Sequence, residues 1–377
     1  MNRIDHPHRE TATDERERST GIGRRDVLKT GAAFSLGSMV AGCLGGGGGG
    51  GGGDTTHVAI VSSPAGFGDK AFNDLALEGL NNAADDYDLK VQQVEETDQS
   101  NYGTVQSRLA ESNDPDYDLV VLVGYNHTKA LRTNAKDYPD QRWMLINDHV
   151  EQPNVAGYVW ANHQMSFQAG VLAGTMTSRE LSYKGNSNDP SGTTVGFVGG
   201  VDGSLINAFE RAYKKGVAYV DDSVTVKVGY IGNYTDTQTA NNIATSQYDA
   251  GADIVYHAAA AAGEGVFQAA QENKRFAIGV DADQSKTLPE YKDVIMGSAV
   301  KYINRGTYLV AEGVVNDNWD DVKGRNVLGL DRDAVAVVLG QAIGPNLPDV
   351  VSQNLDDAKQ AIVNGDVTVP CSASGCK

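Results

Sequence analysis

Two aspartates stand at the ends of short apolar segments that occupy matched positions along the chain. Asp148 ends the segment LIND at residues 145–148, and Asp281 ends the segment IGVD at residues 278–281. If both segments are strands of similar halves, the two carboxylates face one cleft and can accept hydrogen bonds from a polyol or a base N–H, each worth about 1.5–3 kcal/mol. The same pair could instead act as the acid pair of a glycosidase, or each aspartate could cap a helix.

Two aromatic residues offer flat faces to the same predicted cleft. Phe72 begins an amphipathic helical pattern after the glycine-containing loop at residues 66–74, and Tyr234 follows the apolar run at residues 224–231. Rings on both sides of a planar ligand contribute about 0.5–1.5 kcal/mol each beyond burial. Phe72 could equally be a core residue of its helix, whereas Tyr234 has less helical periodicity around it. The residue types predict a site for a flat, hydroxyl-bearing solute.

Signatures of common enzymes and cofactor sites do not occur in the sequence. There is no Gly-x-Ser-x-Gly elbow, no His-Glu-x-x-His and no Walker A loop. Residues 199–203 (GGVDG) lack the spacing of a dinucleotide loop and are interpreted as a structural turn. The histidines His127, His149, His163 and His257 lack a metal-binding spacing. We therefore expect no metal, no cofactor and no catalytic residues.

A repeat of about 130 residues supplies the elements that would position these groups. Val58 precedes Phe72 by 14 positions, Val195 precedes Phe209 by 14, and a glycine follows each phenylalanine by seven. Solenoid repeats have periods of about 20–50 residues, so each copy is interpreted as a lobe. The predicted fold is α/β, with two lobes that each contain a mostly parallel sheet flanked by helices. Ligands bind at the carboxyl ends of strands in such sheets.

The first 43 residues are interpreted as an export signal. Arg24 and Arg25 precede a short apolar stretch, and the run GRRDVLK resembles a twin-arginine signal. The run VAGC then resembles a lipobox, which makes Cys43 the predicted site of lipid attachment. Nine glycines at residues 45–53 follow, so residues 44–56 are interpreted as a tether. The alternative is an N-terminal helix with an incidental cysteine. The prediction is a lipid-anchored protein on the extracellular face of the cell membrane.

The charge and the cysteines agree with export. A formal net charge of −18 disfavours nucleic acid and anionic lipid surfaces as partners. It suits a salt-rich medium and suggests a halophilic source, although an ordinary acidic protein is the alternative. Cys371 and Cys376 could form a small-loop disulfide or remain two free thiols.

The apolar patterns also predict where the chain passes between lobes. Crossings are expected near residues 157–165, 281–289 and 329–334. Lobe 1 would comprise residues 57–160 plus about 290–328, because the strand pattern at 294–303 would return to it. Lobe 2 would comprise residues 161–289 plus about 329–370, including a helix at 350–363, and residues 371–377 would be a tail.

Several stretches, in order, resemble the basic membrane protein (BMP) family of exported lipoproteins. They are DKAFN at residues 69–73, VGFVGG at 195–200, YHAA at 256–259, GVDADQ at 279–284 and SAVK at 298–301. Members are substrate-binding components of ABC transporters, and the characterised ones take purine nucleosides. The resemblance implies the two-lobed periplasmic-binding-protein type I fold.

The resemblance also implies roles for individual residues. The base would lie between Phe72 and Tyr234, where the family usually has Phe at the second position. Asn73 and Asp148 would address the base, and Asp281 with Lys301 would hold the ribose hydroxyls.

The sequence departs from the family pattern at two places in the predicted pocket. Ser63, a predicted ligand residue, stands where the family commonly has Asp. Residues 260–262 (AAA) replace a turn that contains Gly and Thr in the family.

The function predicted from the sequence is that of a receptor without enzymatic activity. A ligand, expected to be a nucleoside, would stabilise the closed form of the two lobes. The closed form would dock on a membrane permease whose ATPase is a separate chain. The alternatives are a glycoside or nucleoside hydrolase that uses Asp148 and Asp281, or a sensor-coupled binding protein for another small polar ligand.

Overall fold

The computed structural model describes residues 55–371 of the chain. The strands are β1 (Thr56–Val61), β2 (Leu89–Val94), β3 (Leu119–Leu122), β4 (Trp143–Ile146), β5 (Val155–Trp160), β6 (Ser182–Tyr183), β7 (Asn186–Ser187), β8 (Thr194–Gly199), β9 (Thr225–Tyr230), β10 (Ile254–Ala258), β11 (Phe276–Asp281), β12 (Ile295–Lys301), β13 (Gly324–Leu328) and β14 (Val335–Leu339).

Helices follow most of the strands. They are α1 (Phe72–Asp86), α2 (Tyr102–Ala110), α3 (Thr128–Asp137), α4 (Asn162–Thr177), α5 (Ser204–Val220), α6 (Thr237–Asp249), α7 (Glu264–Glu272), α8 (Gln284–Thr287), α9 (Ile303–Val315), α10 (Trp319–Val322) and α11 (Val350–Val363). Short 3-10 turns, including Tyr125–His127 and Ala260–Gly263, connect some strands to their helices.

Two six-stranded sheets organise these elements into two lobes. The first has the order β13-β5-β4-β3-β1-β2, and the second has the order β14-β12-β11-β10-β8-β9. All pairings in both sheets are parallel except that of β12 with β14. Central strands such as β3 and β4 are buried along their whole length, as expected for strands covered on both faces. The predicted α/β fold of two mostly parallel lobes is confirmed.

The glycine that recurs in the repeat has a packing role in both lobes. A Cβ atom at Gly79 of α1 would overlap the backbone of Asn304 in α9, and one at Gly216 of α5 would overlap the backbone of Phe167 in α4. Each glycine therefore lets two helices approach to backbone contact. The repeated glycine in the sequence therefore marks a close helix–helix contact in each lobe.

The chain passes between the lobes at three places: between β5 and α4, between β12 and α9, and between β13 and β14. Lobe 1 contains the first sheet with α9 packed on α1, and lobe 2 contains the second sheet with α11 packed on α4. The prediction that the strand at residues 294–303 returns to lobe 1 is wrong, because β12 pairs with β11 and β14. The crossing predicted near residues 281–289 is wrong for the same reason, and the chain crosses between β12 and α9 instead. The link from β11 to β12 contains only the short helix α8 and the 3-10 turn Pro289–Tyr291, which have no periodic pattern in the sequence.

Several N-terminal and C-terminal predictions fall outside the described residues. They are the signal at residues 1–43 with Cys43, the glycine run, and Cys376. Cys371 is disulfide-bonded. Within residues 55–371, no helix has both the length and the apolar character needed to cross a bilayer.

Candidate functional site

A cavity lies between the two lobes at the carboxyl ends of strands from both sheets. It encloses about 530 Å³ of empty space, part of which is open to solvent. Lobe 1 contributes residues after β1, β3 and β4 and the start of α1. Lobe 2 contributes the start of α5, residues after β9 and β10, and the ends of β11 and β12. The position, at the carboxyl ends of parallel strands, is typical of ligand sites in α/β folds.

The cavity brings together most of the ligand residues predicted from the sequence. Those that line it are Ser63, Phe72, Tyr234, Asp281 and Lys301. In particular, Tyr234 and Asp281 open onto the same cavity. The two other predicted residues, Asn73 and Asp148, do not line it.

Asp281 and Lys301 form an ion pair at the floor of the cavity, at the ends of β11 and β12. The Lys301 Nζ lies 2.8 Å from the Asp281 Oδ1, and the side chains are only 2% and 9% exposed, respectively. The angle of approach nevertheless leaves Oδ1 without an aligned hydrogen bond. A carboxylate has about four acceptor positions, so Asp281 retains capacity to accept hydrogen bonds from a ligand while its charge is balanced.

Two phenylalanine rings flank the Lys301 ammonium. Its Nζ lies 4.8 Å from the centroid of Phe72, which belongs to lobe 1, and 5.8 Å from that of Phe209, which belongs to lobe 2. These distances are within the range of cation–π attraction. Phe209 also lines the cavity but was not predicted as a ligand residue. The sequence repeat could have indicated Phe209 as a candidate ligand residue, because it occupies the position of Phe72 in the second copy.

Asn73 holds the loop that presents Phe72. Its Oδ1 accepts from the Ser63 N–H at 2.8 Å, and its Nδ2 donates to the Ser63 Oγ and the Asp69 Oδ2, each at 2.8 Å. The Asp69 carboxylate also accepts from the backbone N–H groups of Ala71 and Asn73. Burial raises the pKa of Asp69, and these hydrogen bonds oppose that effect. Asn73 thus positions Ser63 and Phe72 and does not itself line the cavity.

Asp148 does not line the cavity and is hydrogen-bonded within lobe 1. Its Oδ2 accepts from the Thr128 hydroxyl at 2.7 Å, and its Oδ1 accepts from the His149 N–H at 2.8 Å. The preceding residue, Asn147, lines the cavity instead. Asn147 has φ of +66° and Asp281 has φ of +67°, so these two residues are the structural counterparts. Matching of the two copies in the sequence paired Asp148 with Asp281, and this pairing is displaced by one residue from the structural one.

Asn147 was missed from the sequence, although its residue type carried a signal. Asparagine and aspartate tolerate the left-handed backbone region better than other residues with a Cβ. The Asn147 Oδ1 is buried and has no hydrogen-bond partner in the described part of the chain. The amide is therefore free to meet a polar group of a ligand.

The cavity does not bring together the two aspartates, Asp148 and Asp281, that were predicted as the alternative acid pair of a hydrolase. Hydrolysis of a glycoside by two carboxylates requires both to flank the scissile bond, and of the residues that line the cavity only Asp281 is a carboxylate. Asp281 and Lys301 are its charged lining residues, so their charges balance. The cavity suits an uncharged ligand.

The predicted glycine turn at residues 199–200 provides space for tyrosine rings. A Cβ atom at Gly200 would overlap the ring of Tyr234, and one at Gly199 would come within 2.7 Å of the ring of Tyr230. Burial raises the pKa of Tyr234 well above its usual range, which keeps its hydroxyl neutral. Gly200 therefore shapes the wall of the cavity through the position of Tyr234.

The histidines considered as metal ligands are separate structural residues. The Nε2 of His127 lies 2.9 Å from the Ser62 carbonyl oxygen, and that of His257 lies 2.8 Å from the Gln284 Oε1. Burial lowers the pKa of each to about 4. Among the described residues, no group of three or more histidine, cysteine, aspartate or glutamate side chains is arranged to hold a metal ion.

Comparison with known families agrees with this geometry. Residues 56–373 match the family model described as Bmp, ABC transporter substrate-binding protein PnrA-like. The chain belongs to this family. The match spans both lobes and confirms the resemblance found in the sequence, so the chain is an ABC transporter substrate-binding protein at the level of its family.

Individual relatives of the Bmp family match along most of this chain. An ABC transporter nucleoside-binding protein, BmpA, of Lactococcus lactis is 27% identical over 330 residues, covering 83% of this chain and 88% of its own. An uncharacterized lipoprotein of Pyrococcus horikoshii is 29% identical over 315 residues, covering 80% and 74%. The fold is shared with a solute-binding protein of an ABC transporter system from Aeropyrum pernix K1, with a TM-score of 0.71 at 22% identity, covering 84% of this chain and 94% of that one.

Proposed function

We propose that this protein is the lipid-anchored, extracellular substrate-binding protein of an ABC importer and that its ligand is a nucleoside, with purine nucleosides the expected class. One observation carries the proposal: a charge-balanced pair, Asp281 and Lys301, stands beside aromatic faces in a cavity between two lobes. The Lactococcus lactis relative, which is named as a nucleoside-binding protein, supports the same ligand class.

Each part of a nucleoside has a matching group in the cavity. The rings of Phe72, Phe209 and Tyr234 offer flat apolar surface for a base. The Asp281 carboxylate would accept from the ribose hydroxyls, and the Lys301 ammonium would donate to them. The Asn147 amide, which both donates and accepts, would pair with a polar edge of the base.

The charge of the cavity sets an expectation about which nucleoside derivatives bind. Lys301 already balances Asp281 at 2.8 Å, so no cation in the lining is left to neutralise a phosphate. Burial of an unpaired phosphate charge is costly. A nucleoside should therefore bind much more tightly than its monophosphate.

In this function the protein binds its ligand and leaves it chemically unchanged. Ligand contacts both lobes, stabilises the closed form by its higher affinity for that form, and is delivered to a membrane permease driven by a separate ATPase. Anchoring at Cys43 is supported by the order of arginine pair, apolar stretch and cysteine in the sequence, and by the lipoprotein among the relatives. The acidic composition supports a salt-rich habitat.

Calorimetry with the purified protein tests this function. Inosine, guanosine, adenosine and uridine are titrated, with hypoxanthine and inosine monophosphate as comparisons, and the ligand is recovered afterwards for chromatography. We expect binding of one nucleoside per chain at a Kd of about 1 μM, or about −8 kcal/mol, with the ligand unchanged. Release of free base would show a hydrolase. A sensor-coupled protein would bind ligand but would stimulate no ATPase when added to its permease complex.

A further inference from the structure

Tyr125 and Tyr234 meet across the interlobe cavity. Their hydroxyl oxygens lie 3.3 Å apart, and both side chains line the cavity. Tyr125 belongs to lobe 1 and Tyr234 to lobe 2, so their contact joins the lobes at the site itself, away from the three crossing segments. Neither the repeat nor any motif of the sequence pairs these two residues.

Tyr125 stands on a turn that is fixed within lobe 1. The turn Tyr125–His127 is anchored by His127, whose side chain is buried and stacks on Tyr102 with ring centroids 3.7 Å apart. The His127 Nε2 also lies 2.9 Å from the Ser62 carbonyl oxygen, which directly follows β1. The base of the Tyr125 side chain therefore moves with lobe 1.

Tyr234 is fixed in the same way within lobe 2. Its carbonyl oxygen accepts from the Ala262 N–H at 2.9 Å, and its ring occupies the space that Gly200 leaves. The adjacent Asn233 Oδ1 accepts from the N–H groups of Thr235 and Asp236 at 2.9 and 2.8 Å, which fixes the turn. Because both tyrosines are anchored in their own lobes, separation of the lobes must break the hydroxyl contact.

We infer that Tyr125 is a positioning residue for the bound ligand: its hydroxyl holds the Tyr234 ring over the cavity and couples that ring to lobe closure. This inference rests on the proposed function, in which the ring covers the base. Without the contact the lobes separate more readily and the ligand dissociates faster. The ligand-free protein exchanges between closed and separated lobes, and association needs the separated form, so the association rate should rise by at most about threefold.

The length of the contact limits the expected effect. Hydroxyl groups that bond well lie about 2.7–2.8 Å apart, and 3.3 Å is longer. We therefore expect dissociation to accelerate by about threefold when either hydroxyl is removed, near the lower end for a single hydrogen bond. Because the two hydroxyls act as one unit, removal of both should cost no more than removal of either.

A double-mutant cycle with inosine as the probe tests the inference. Stopped-flow dissociation is measured for the wild type, Tyr125→Phe, Tyr234→Phe and the double variant. Tyr219→Phe is the matched control, because it removes the same atom from a side chain that is 42% exposed. We expect the three cavity variants to release inosine at the same rate, about threefold faster than the wild type and the control, with unchanged melting temperatures.

Other outcomes overturn the inference or the proposed function separately. Rate effects that multiply in the double variant, or rates equal to that of the wild type, would overturn the coupling. If the wild type binds no nucleoside, the proposed ligand class is wrong, and the coupling is then tested by small-angle scattering of the ligand-free proteins. The same larger radius of gyration in all three cavity variants would support the coupling, and radii equal to that of the control would overturn it.

Discussion

Asn147 and Asp281 leave the ends of β4 and β11 in the same left-handed backbone conformation, with φ of +66° and +67°, and both line one cavity. Each lobe thus contributes one short polar side chain at an equivalent position. One is a neutral amide and the other a carboxylate paired with Lys301. A duplicated architecture has acquired two different polar groups, which suits a ligand whose two ends differ.

Replacement of Asp281 by asparagine should weaken nucleoside binding at least tenfold. The substitution keeps the size and the left-handed preference of the residue but removes the charge that would accept from the ribose, worth about 1.5–3 kcal/mol. Calorimetry measures the change. Asp202→Asn, at an exposed turn beyond β8, is the matched control. Equal losses in both variants would contradict the assigned role of Asp281.

Replacement of Asn147 by glycine should weaken binding by about three- to tenfold, the range for one neutral hydrogen bond. Glycine adopts the positive φ without strain, so the fold should keep its stability while the amide is lost. Asp148→Ala is the comparison, because the sequence assigned the contact to that residue. A larger loss of affinity in Asp148→Ala than in Asn147→Gly would restore the original assignment.

Asn73→Ala should lower the free energy of unfolding by about 2–3 kcal/mol, because it leaves the buried Ser63 and Asp69 groups unpaired. Thermal or urea denaturation measures this loss. Asn81→Ala, an exposed position on the same helix, should be neutral or slightly stabilising because alanine favours helix. A variant at Asn73 with normal stability and impaired binding would instead support direct contact with the ligand.

Gly200→Ala should reduce nucleoside affinity by more than tenfold. The new methyl group would overlap the Tyr234 ring, which must then leave its place in the wall of the cavity, and overpacking typically costs about 1–3 kcal/mol. Gly203→Ala is the control, since a Cβ at Gly203 meets no atom within 4 Å. Normal binding by Gly200→Ala would show that the ring position does not matter.

Stability should fall as the pH decreases from about 6.5 towards 4. Burial lowers the pKa of His127 and of His257 from 6.5 to about 4 in the folded protein, so the unfolded chain takes up protons first. At about pH 4, each histidine lowers the free energy of unfolding by up to about 3 kcal/mol. Urea titrations at several pH values measure the slope. His127→Asn should flatten it, and an unchanged slope in this variant would contradict the role of His127.

The sequence predicted the fold class because its signals are local and repeated. The 14-residue spacing from strand to phenylalanine and the helix glycines Gly79 and Gly216 each recur once per lobe. The assignment of β12 failed because the linking helix α8 has only four residues, too few for a periodic pattern. The strand itself was predicted, whereas its lobe was not, because a short connection does not show to which sheet the next strand belongs.

The site was predictable in residue type but not in register. Asp281, Lys301 and Tyr234 stand at strand ends, where ligands bind in such sheets. Asn147 was missed because a one-residue difference in strand length decides which side chain faces the cavity. The ligand contact was assigned instead to its charged neighbour, Asp148. The contact of Tyr125 with Tyr234 arises only from the approach of two lobes, which local patterns do not record.

The order of synthesis has a consequence for the first sheet. Its edge strand β13 begins at Gly324, after the ribosome has produced five of the six strands of the second sheet. A nascent chain that ends before this strand leaves the backbone groups of β5 unpaired along an open edge, which favours aggregation. The first sheet is therefore complete only once residues 324–328 have been synthesised. Export by the twin-arginine route proposed from Arg24 and Arg25, which carries folded proteins, would let β13 close this edge before translocation.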